Sequence, residues 1–298
     1  MDCLSELLRG LRLRGSVYYR KEFPSPWGFR SPAGPFAPFH LNVRGSCWFQ
    51  SGEGPPRRLD PGDMVIFPTG AAHWLADRNQ PPSSDSSDPD SDRAATSDEA
   101  TTLVCGHFEF DRGPDHPLRA ALPPVMRLAA GGRRGSAWLE PVLWSLVETA
   151  GDDSAGAAAL ADRLAEAVFI EAVRRAVEQG ESSTGLAAAL RDPRLSSALA
   201  VMHAEPGRPW SLEELARRSG MSRASFAQKF RATVGTPPMS YLNAQRLRTA
   251  SERLVESDDS VAEIARRSGF GSDAAFVRAF KRYAGSSPGA WRRSRASG

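Results

Sequence analysis

Gln228 and Arg278 stand at the same place in two copies of one pattern, and both carry side chains suited to the edge of a base pair. A glutamine amide can pair with adenine and an arginine guanidinium with guanine. The copies are plain. Glu214-Leu215-Ala216-Arg217-Arg218-Ser219-Gly220 recurs, about fifty residues on, as Glu263-Ile264-Ala265-Arg266-Arg267-Ser268-Gly269. Each glycine is followed by a hydrophobic residue and then a serine, in Met221-Ser222 and in Phe270-Gly271-Ser272. Phe226 and Phe230 match Phe276 and Phe280, Gly235 matches Gly285, and Pro238 matches Pro288.

Each copy reads as two helices joined by a glycine turn, since glycine takes a positive φ without a side-chain penalty. Ser222 and Ser272 are N-cap candidates for the second helix. Phenylalanines four apart put one face inward. The outward face then carries Arg223, Ala224, Ala227, Gln228 and Arg231 in the first copy, and Asp273, Ala274, Val277 and Arg278 in the second. Alanine and valine methyls can touch a thymine methyl. Lys229, Lys281 and Arg282 suit phosphates, which position a protein on DNA without specifying sequence. One such pattern is also an ordinary helical hairpin. Two copies on a basic segment favour DNA: residues 191–298 hold 19 Lys and Arg against 10 Asp and Glu, while residues 1–190 hold 19 against 25.

A second set of reactive side chains lies in the N-terminal half. His40 shares a strand face with Asn42 and Arg44, which could line a cavity or face water. His73 follows a tight turn, where it could line a site or simply bond its loop. Cys105 alternates with His107 and Glu109, opposite Val104, Phe108 and Phe110. A thiol beside a histidine can have a lowered pKa, so Cys105 is the candidate for sensing oxidants. Cys47 reads as a buried core thiol, and Cys3 near the terminus says little. Three cysteines without regular spacing argue against a disulfide framework or a zinc module.

The elements that must hold these residues divide the 298-residue chain in two. Phe39–Arg44, Met64–Phe67 and Leu103–Phe110 read as strands, from alternation and flanking turns. Between the last two, about residues 79–102, a Ser-, Asp- and Pro-rich stretch reads as a solvated, disordered insertion. Residues 136–179 carry two helical stripes, one around Leu139, Leu143 and Leu146 and one around Leu164, Val168 and Phe169. They serve either dimerisation or core packing. Gly180–Gly185 opens a linker, about 181–191. Helices follow from Pro193, with a capping box at Ser211 and Glu214 and a long helix over Pro238–Glu256 joining the two motifs. At 1.5 Å per residue that helix spans about 28 Å, close to the roughly 34 Å between major grooves on one face of DNA. No apolar run approaches the roughly 20 residues a membrane span needs, and no secretory signal is visible, which points to the cytoplasm. The expected fold class is α+β multidomain.

Gly269-Phe270-Gly271-Ser272, then Phe276-Val277-Arg278-Ala279-Phe280-Lys281-Arg282, Gly285-Ser286-Ser287-Pro288 and Trp291-Arg292 resemble the signature of AraC/XylS-type transcription regulators. The resemblance covers about residues 192–295. It implies a seven-helix domain with two helix-turn-helix units, acting on double-stranded promoter DNA with RNA polymerase as partner. It places Ala224, Ala227 and Gln228 at base-reading positions of the first unit, and Asp273, Ala274, Val277 and Arg278 at those of the second. Gly34 and His40-Leu41-Asn42, with Gly62, Pro68-Thr69-Gly70 and His73, resemble the two motifs of cupins, and imply a cupin-like β-barrel sensor over about residues 1–130. Asn42 stands where those proteins place a second histidine, Gly45 to Trp48 supply no glutamate, and Asp77 stands where an asparagine is usual. His40 and His73 alone are too few for a catalytic metal, so neither metal, cofactor nor enzyme activity is expected. The effector or redox candidates are therefore His40, Asn42, His73, Cys105 and His107. Two other readings stay open: a cupin metalloenzyme with an accessory DNA-binding domain, and an architectural DNA-binding protein without a sensor role. A homodimer is a further expectation.

Overall fold

The alternating residues of the N-terminal half fold into antiparallel strands in two sheets. The computed structural model describes residues 2–83, 100–110, 116–129, 137–180 and 183–296. They form two compact units, one of residues 11–179 and one that joins the first ten residues to 180–298. A short helix, α1 (Cys3–Leu11), opens the chain. Strands β1 (Leu13–Phe23), β2 (Gly28–Ser31), β3 (Ala37–Arg44), β4 (Cys47–Ser51), β5 (Arg57–Leu59), β6 (Met64–Ile66), β7 (His73–Ala76), β8 (Thr101–Phe110) and β9 (Met126–Leu128) follow. Helix α2 (Pro117–Ala121) precedes β9, and α3 (Leu139–Thr149) and α4 (Ala157–Gln179) come after it. The sheets run β1-β8-β3-β6-β9 and β2-β7-β4-β5. Part of the expected insertion, residues 84–99, lies outside the described residues.

Cys47, Phe49, Leu59, Val65, Phe67, Leu75, Leu103 and Cys105 belong to one buried cluster drawn from both sheets. The opposite face of the five-stranded sheet is covered by α4. The Phe108 ring packs, tilted, against Phe39 at 4.9 Å and Phe169 at 4.7 Å. Gly15 lets α4 come close, since a Cβ there would lie 2.8 Å from the Asp162 carbonyl oxygen. β1 is an edge strand, and α4 satisfies two amides in its first half: Gly15 N donates to Glu166 Oε1 and Val17 N to Asp162 Oδ1, both at 3.0 Å. Where its amides are engaged, an edge no longer templates pairing with another chain. Of the two roles open to residues 136–179, α4 therefore performs core packing, with α3 alongside it. Trp144, Leu160 and Ile170 remain exposed on these two helices.

The second unit is helical: α5 (Gly185–Arg191), α6 (Pro193–Ala204), α7 (Leu212–Arg218), α8 (Arg223–Val234), α9 (Pro238–Glu256), α10 (Val261–Arg267), α11 (Asp273–Ala284) and α12 (Pro288–Ala296). α5 lies in the stretch expected to be linker, of which 181–182 fall outside the described residues. Leu186 and Ala189 are buried there, in a helix that packs on α6 and α8. Asp192 caps α6, and Ser211 with Glu214 forms the capping box of α7. α12 docks on α9: Trp291 Nε1 donates to Ser251 O at 3.3 Å, and Arg292 Nε to Leu254 O at 2.9 Å. The second bond occupies one of the carbonyls that a helix C-terminus leaves without an intrahelical partner.

Candidate functional site

Helices α7 and α8 form one helix-turn-helix, α10 and α11 the other. Gly220 and Gly269 turn at φ +59° and +77°. Ser222 accepts from Ser225 N and Ser272 from Ala275 N, so each second helix starts on a serine cap. Such a cap contributes about 1 kcal/mol relative to alanine. Phe226, Phe230, Phe276 and Phe280 are fully buried. Ala224, Gln228 and Arg231 are exposed on α8, as are Asp273, Ala274, Arg278, Lys281 and Arg282 on α11; Ala227 and Val277 are half-buried at the margins of those faces. Arg223 reaches Glu213 at 3.4 Å, and Lys229 is ion-paired with Asp192, the cap of α6. Among the described residues, Gln228, Arg231, Arg278, Lys281 and Arg282 make no side-chain hydrogen bond or ion pair, which leaves their polar ends available.

The two motifs are tied together by a residue that neither contains. Arg246, in the middle of α9, is 7% exposed. Its Nε donates to Pro206 O and its Nη2 to Arg208 O, both at 2.8 Å, while Nη1 reaches Asn243 Oδ1 at 3.3 Å. Pro206–Arg208 is the loop leading to the first motif. That loop touches the turn of the second, where a Cβ on Gly269 would lie 2.5 Å from Gly207 O, and one on Gly207 2.0 Å from Arg267 O. Gly220, by contrast, has nothing within 4 Å of such a Cβ. Loop, α9 and second turn thus meet at one guanidinium. Burial lowers its pKa, although its carbonyl partners suit only the charged form. Nearby, His203 Nε2 and the Tyr241 hydroxyl are 2.8 Å apart. Burial, then Arg248, brings His203 down to about 3, so it is neutral. Burial, then Cys3 of α1, pushes the Tyr241 hydroxyl up.

In the sheet unit, β3 and β8 set His40 opposite Cys105. His40 Nδ1 lies 3.1 Å from Cys105 Sγ, and His40 Nε2 lies 3.0 Å from His73 Nε2. His73 Nδ1 lies 2.9 Å from Ala71 O. Burial, then repulsion from His73, keeps His40 well below the ordinary histidine pKa, and burial lowers His73 too. Both rings are therefore neutral, which fixes the tautomers. The Ala71 carbonyl can only accept, so His73 carries its proton on Nδ1 and accepts at Nε2. His40 must then donate from Nε2 and accept at Nδ1, from the Cys105 thiol. The Tyr19 hydroxyl donates to the same sulfur; burial nonetheless pushes the thiol up to about 12. The histidine beside Cys105 is thus His40 rather than the expected His107, and the pKa moves opposite to the expectation, because desolvation of a thiolate outweighs a neutral neighbour. His107 bonds Glu109 at 3.0 Å, between the rings of Tyr18 and Phe36. A bulge between Val17 and Tyr19 lets two consecutive tyrosines face the same side of the sheet. The amide of Asn42 donates to Gly45 O and Leu59 O, both at 2.9 Å.

A family model described as a cupin matches residues 2–178, and one described as a helix-turn-helix domain matches 215–294. The HTH-type transcriptional regulator AlkR of Acinetobacter baylyi is 31% identical over 299 residues, covering 97% of this chain and 98% of its own length. The RCS-specific HTH-type transcriptional activator RclR of Escherichia coli is 28% identical over 98% of this chain and 97% of its own length. A putative AraC-like transcription regulator of Streptomyces antibioticus is 29% identical over 98% of this chain and 99% of its own length. The chain belongs to the AraC-type transcription regulators. As an AraC-type regulator with a cupin domain, it binds DNA and is not an enzyme.

Metal-binding cupins raise the question of a metal at His40 and His73. The residues present do not fit one. Both ring nitrogens of His40 have protein partners, on opposite sides of the ring, and the Asn42 amide nitrogen is a donor engaged with two carbonyls. In this AraC-type chain the position where metal-binding cupins hold their metal is a neutral hydrogen-bonded chain instead. Sequence reasoning missed Tyr19 and Arg246, whose partners are distant in sequence. It also missed Arg30, Gln50 and Trp74, which lie in register across β2, β4 and β7 and line a groove of about 610 Å³ together with His73.

Proposed function

We propose that α8 and α11 enter successive major grooves of promoter DNA, and that a small molecule bound to the cupin unit controls this engagement. The carrying observation is the pair of serine-capped helices whose exposed faces present Gln228 and Arg278 without partners. Gln228 and Arg278 are the principal base readers. Ala224, Ala227, Ala274 and Val277 supply methyl contacts, and Asp273 lies at the edge of the second reading face. Arg223, Arg231, Lys281 and Arg282 face phosphates, with Ser222 and Ser272 fixing the helix ends. Lys229 joins them only by leaving Asp192. RNA polymerase, a second copy of the chain and the cytoplasm complete the setting.

For the signal, the groove beside His73 supports a small polar or anionic ligand. Arg30 there is held by Pro82 O at 3.1 and 3.3 Å, and Trp74 Nε1 donates to Gln50 Oε1 at 2.9 Å. Direct oxidation of Cys105 is the weaker reading, since a buried thiol raised to about 12 holds little thiolate at neutral pH. Genome-wide mapping of bound sites identifies candidate ligands from the neighbouring genes. With such a ligand, promoter affinity is expected to change in the natural chain, and not in Arg30→Ala, whose ligand-free affinity stays the same. A full response in both Arg30→Ala and Trp74→Leu would remove the groove from signalling.

A further inference from the structure

The loop before the first helix-turn-helix, the connecting helix α9 and the turn of the second helix-turn-helix enclose a notch of about 260 Å³. Four arginines line it, Arg208, Arg246, Arg253 and Arg267, against a single carboxylate, Glu205. Three of them have partners. Arg208 lies 3.5 Å from Glu205 and stacks over Trp210, Arg246 holds the loop carbonyls, and Arg267 pairs with Asp259 and Glu263. Arg253 makes no side-chain hydrogen bond or ion pair among the described residues. Ser268 also lines the notch, is 4% exposed, and its hydroxyl has no partner. Arg246 and Arg253 face this space without a carboxylate partner, a charge that an anion seated between them would balance. A buried hydroxyl without a partner is unfavourable until one arrives.

We propose that this notch binds a phosphate group, with Arg253 and the Ser268 hydroxyl as its free donors and Arg246 as the positively charged wall. Guanidinium forks match phosphate oxygens in geometry as well as charge. The phosphate has two possible sources: a backbone phosphate of the DNA between the two grooves read by α8 and α11, or a phosphate ion from solution. The first rests on the groove geometry proposed above; the second does not.

The test uses the full chain, with Arg253→Gln and Ser268→Ala checked for unchanged melting. Operator affinity is measured across salt concentrations on DNA obtained by selection, and inorganic phosphate is titrated without DNA by calorimetry. A DNA phosphate predicts that Arg253→Gln makes the log–log salt slope shallower by about 0.9. It also predicts that one neutral methylphosphonate between the half-sites weakens the natural chain but not Arg253→Gln. A free phosphate ion predicts saturable binding by the natural chain, lost in both variants, with the salt slope unchanged. Arg253→Lys should restore part of either effect, because it restores the charge without the fork. An unchanged slope together with an unchanged phosphate titration in both variants would overturn the proposal.

Discussion

Arg278 and Gln228 differ from the other candidate readers in having both reach and free polar ends. Asp273, at the first position of α11, has a structural reason to be there, since a carboxylate at a helix N-terminus contributes about 0.3–1 kcal/mol. Arg278→Ala is expected to weaken specific-site binding by about 10- to 100-fold, the equivalent of one good base contact. Random-DNA affinity should fall far less, and stability should move by no more than about 0.5 kcal/mol, because the side chain is exposed. Equal losses on both DNAs, measured by competition binding, would show that Arg278 does not read bases. Which of these residues face outward was legible, because phenylalanines four apart fix a helix face locally. The partners of Cys105 were not. His40 is 65 residues away on another strand, and its place opposite Cys105 depends on a strand register that no local pattern specifies.

Elements with strong local punctuation were legible. Pro238 begins α9 and the last turn ends at Glu256, as the pattern implies; the strands around His40, Met64 and Cys105 likewise form where expected. α5 was not, because Gly-Leu-Ala-Ala-Ala-Leu-Arg is too short to show a periodic face, and only its packing on α6 and α8 makes it a helix. The two turn glycines are alike in sequence and differ in structure. Gly220→Ala should cost about 1–2 kcal/mol for the left-handed conformation alone. Gly269→Ala carries that cost and a clash with Gly207 O, so it should melt lower still, at about 4–8 °C per further kcal/mol. Equal melting temperatures for the two variants would mean that the contact between loop and turn does not hold the motifs together.

At the scale of the whole chain, charge and composition divide the two units clearly, with excess base in the C-terminal part and excess acid in the rest. One assignment was hidden: the first ten residues belong with the C-terminal unit. Cys3 and Leu7 would show the same buried spacing whatever covered them. The Arg246 hydrogen bonds, the glycine contact and the 19-residue α9 tie the two helix-turn-helix units together, and the proposed simultaneous reading of two grooves rests on that span. Inserting about five base pairs, half a helical turn, between the two contacted grooves of a selected operator tests that claim most directly. Affinity should drop to that of a single half-site, because the second helix then faces the wrong side of the duplex. An affinity unchanged by the insertion would contradict simultaneous reading by α8 and α11.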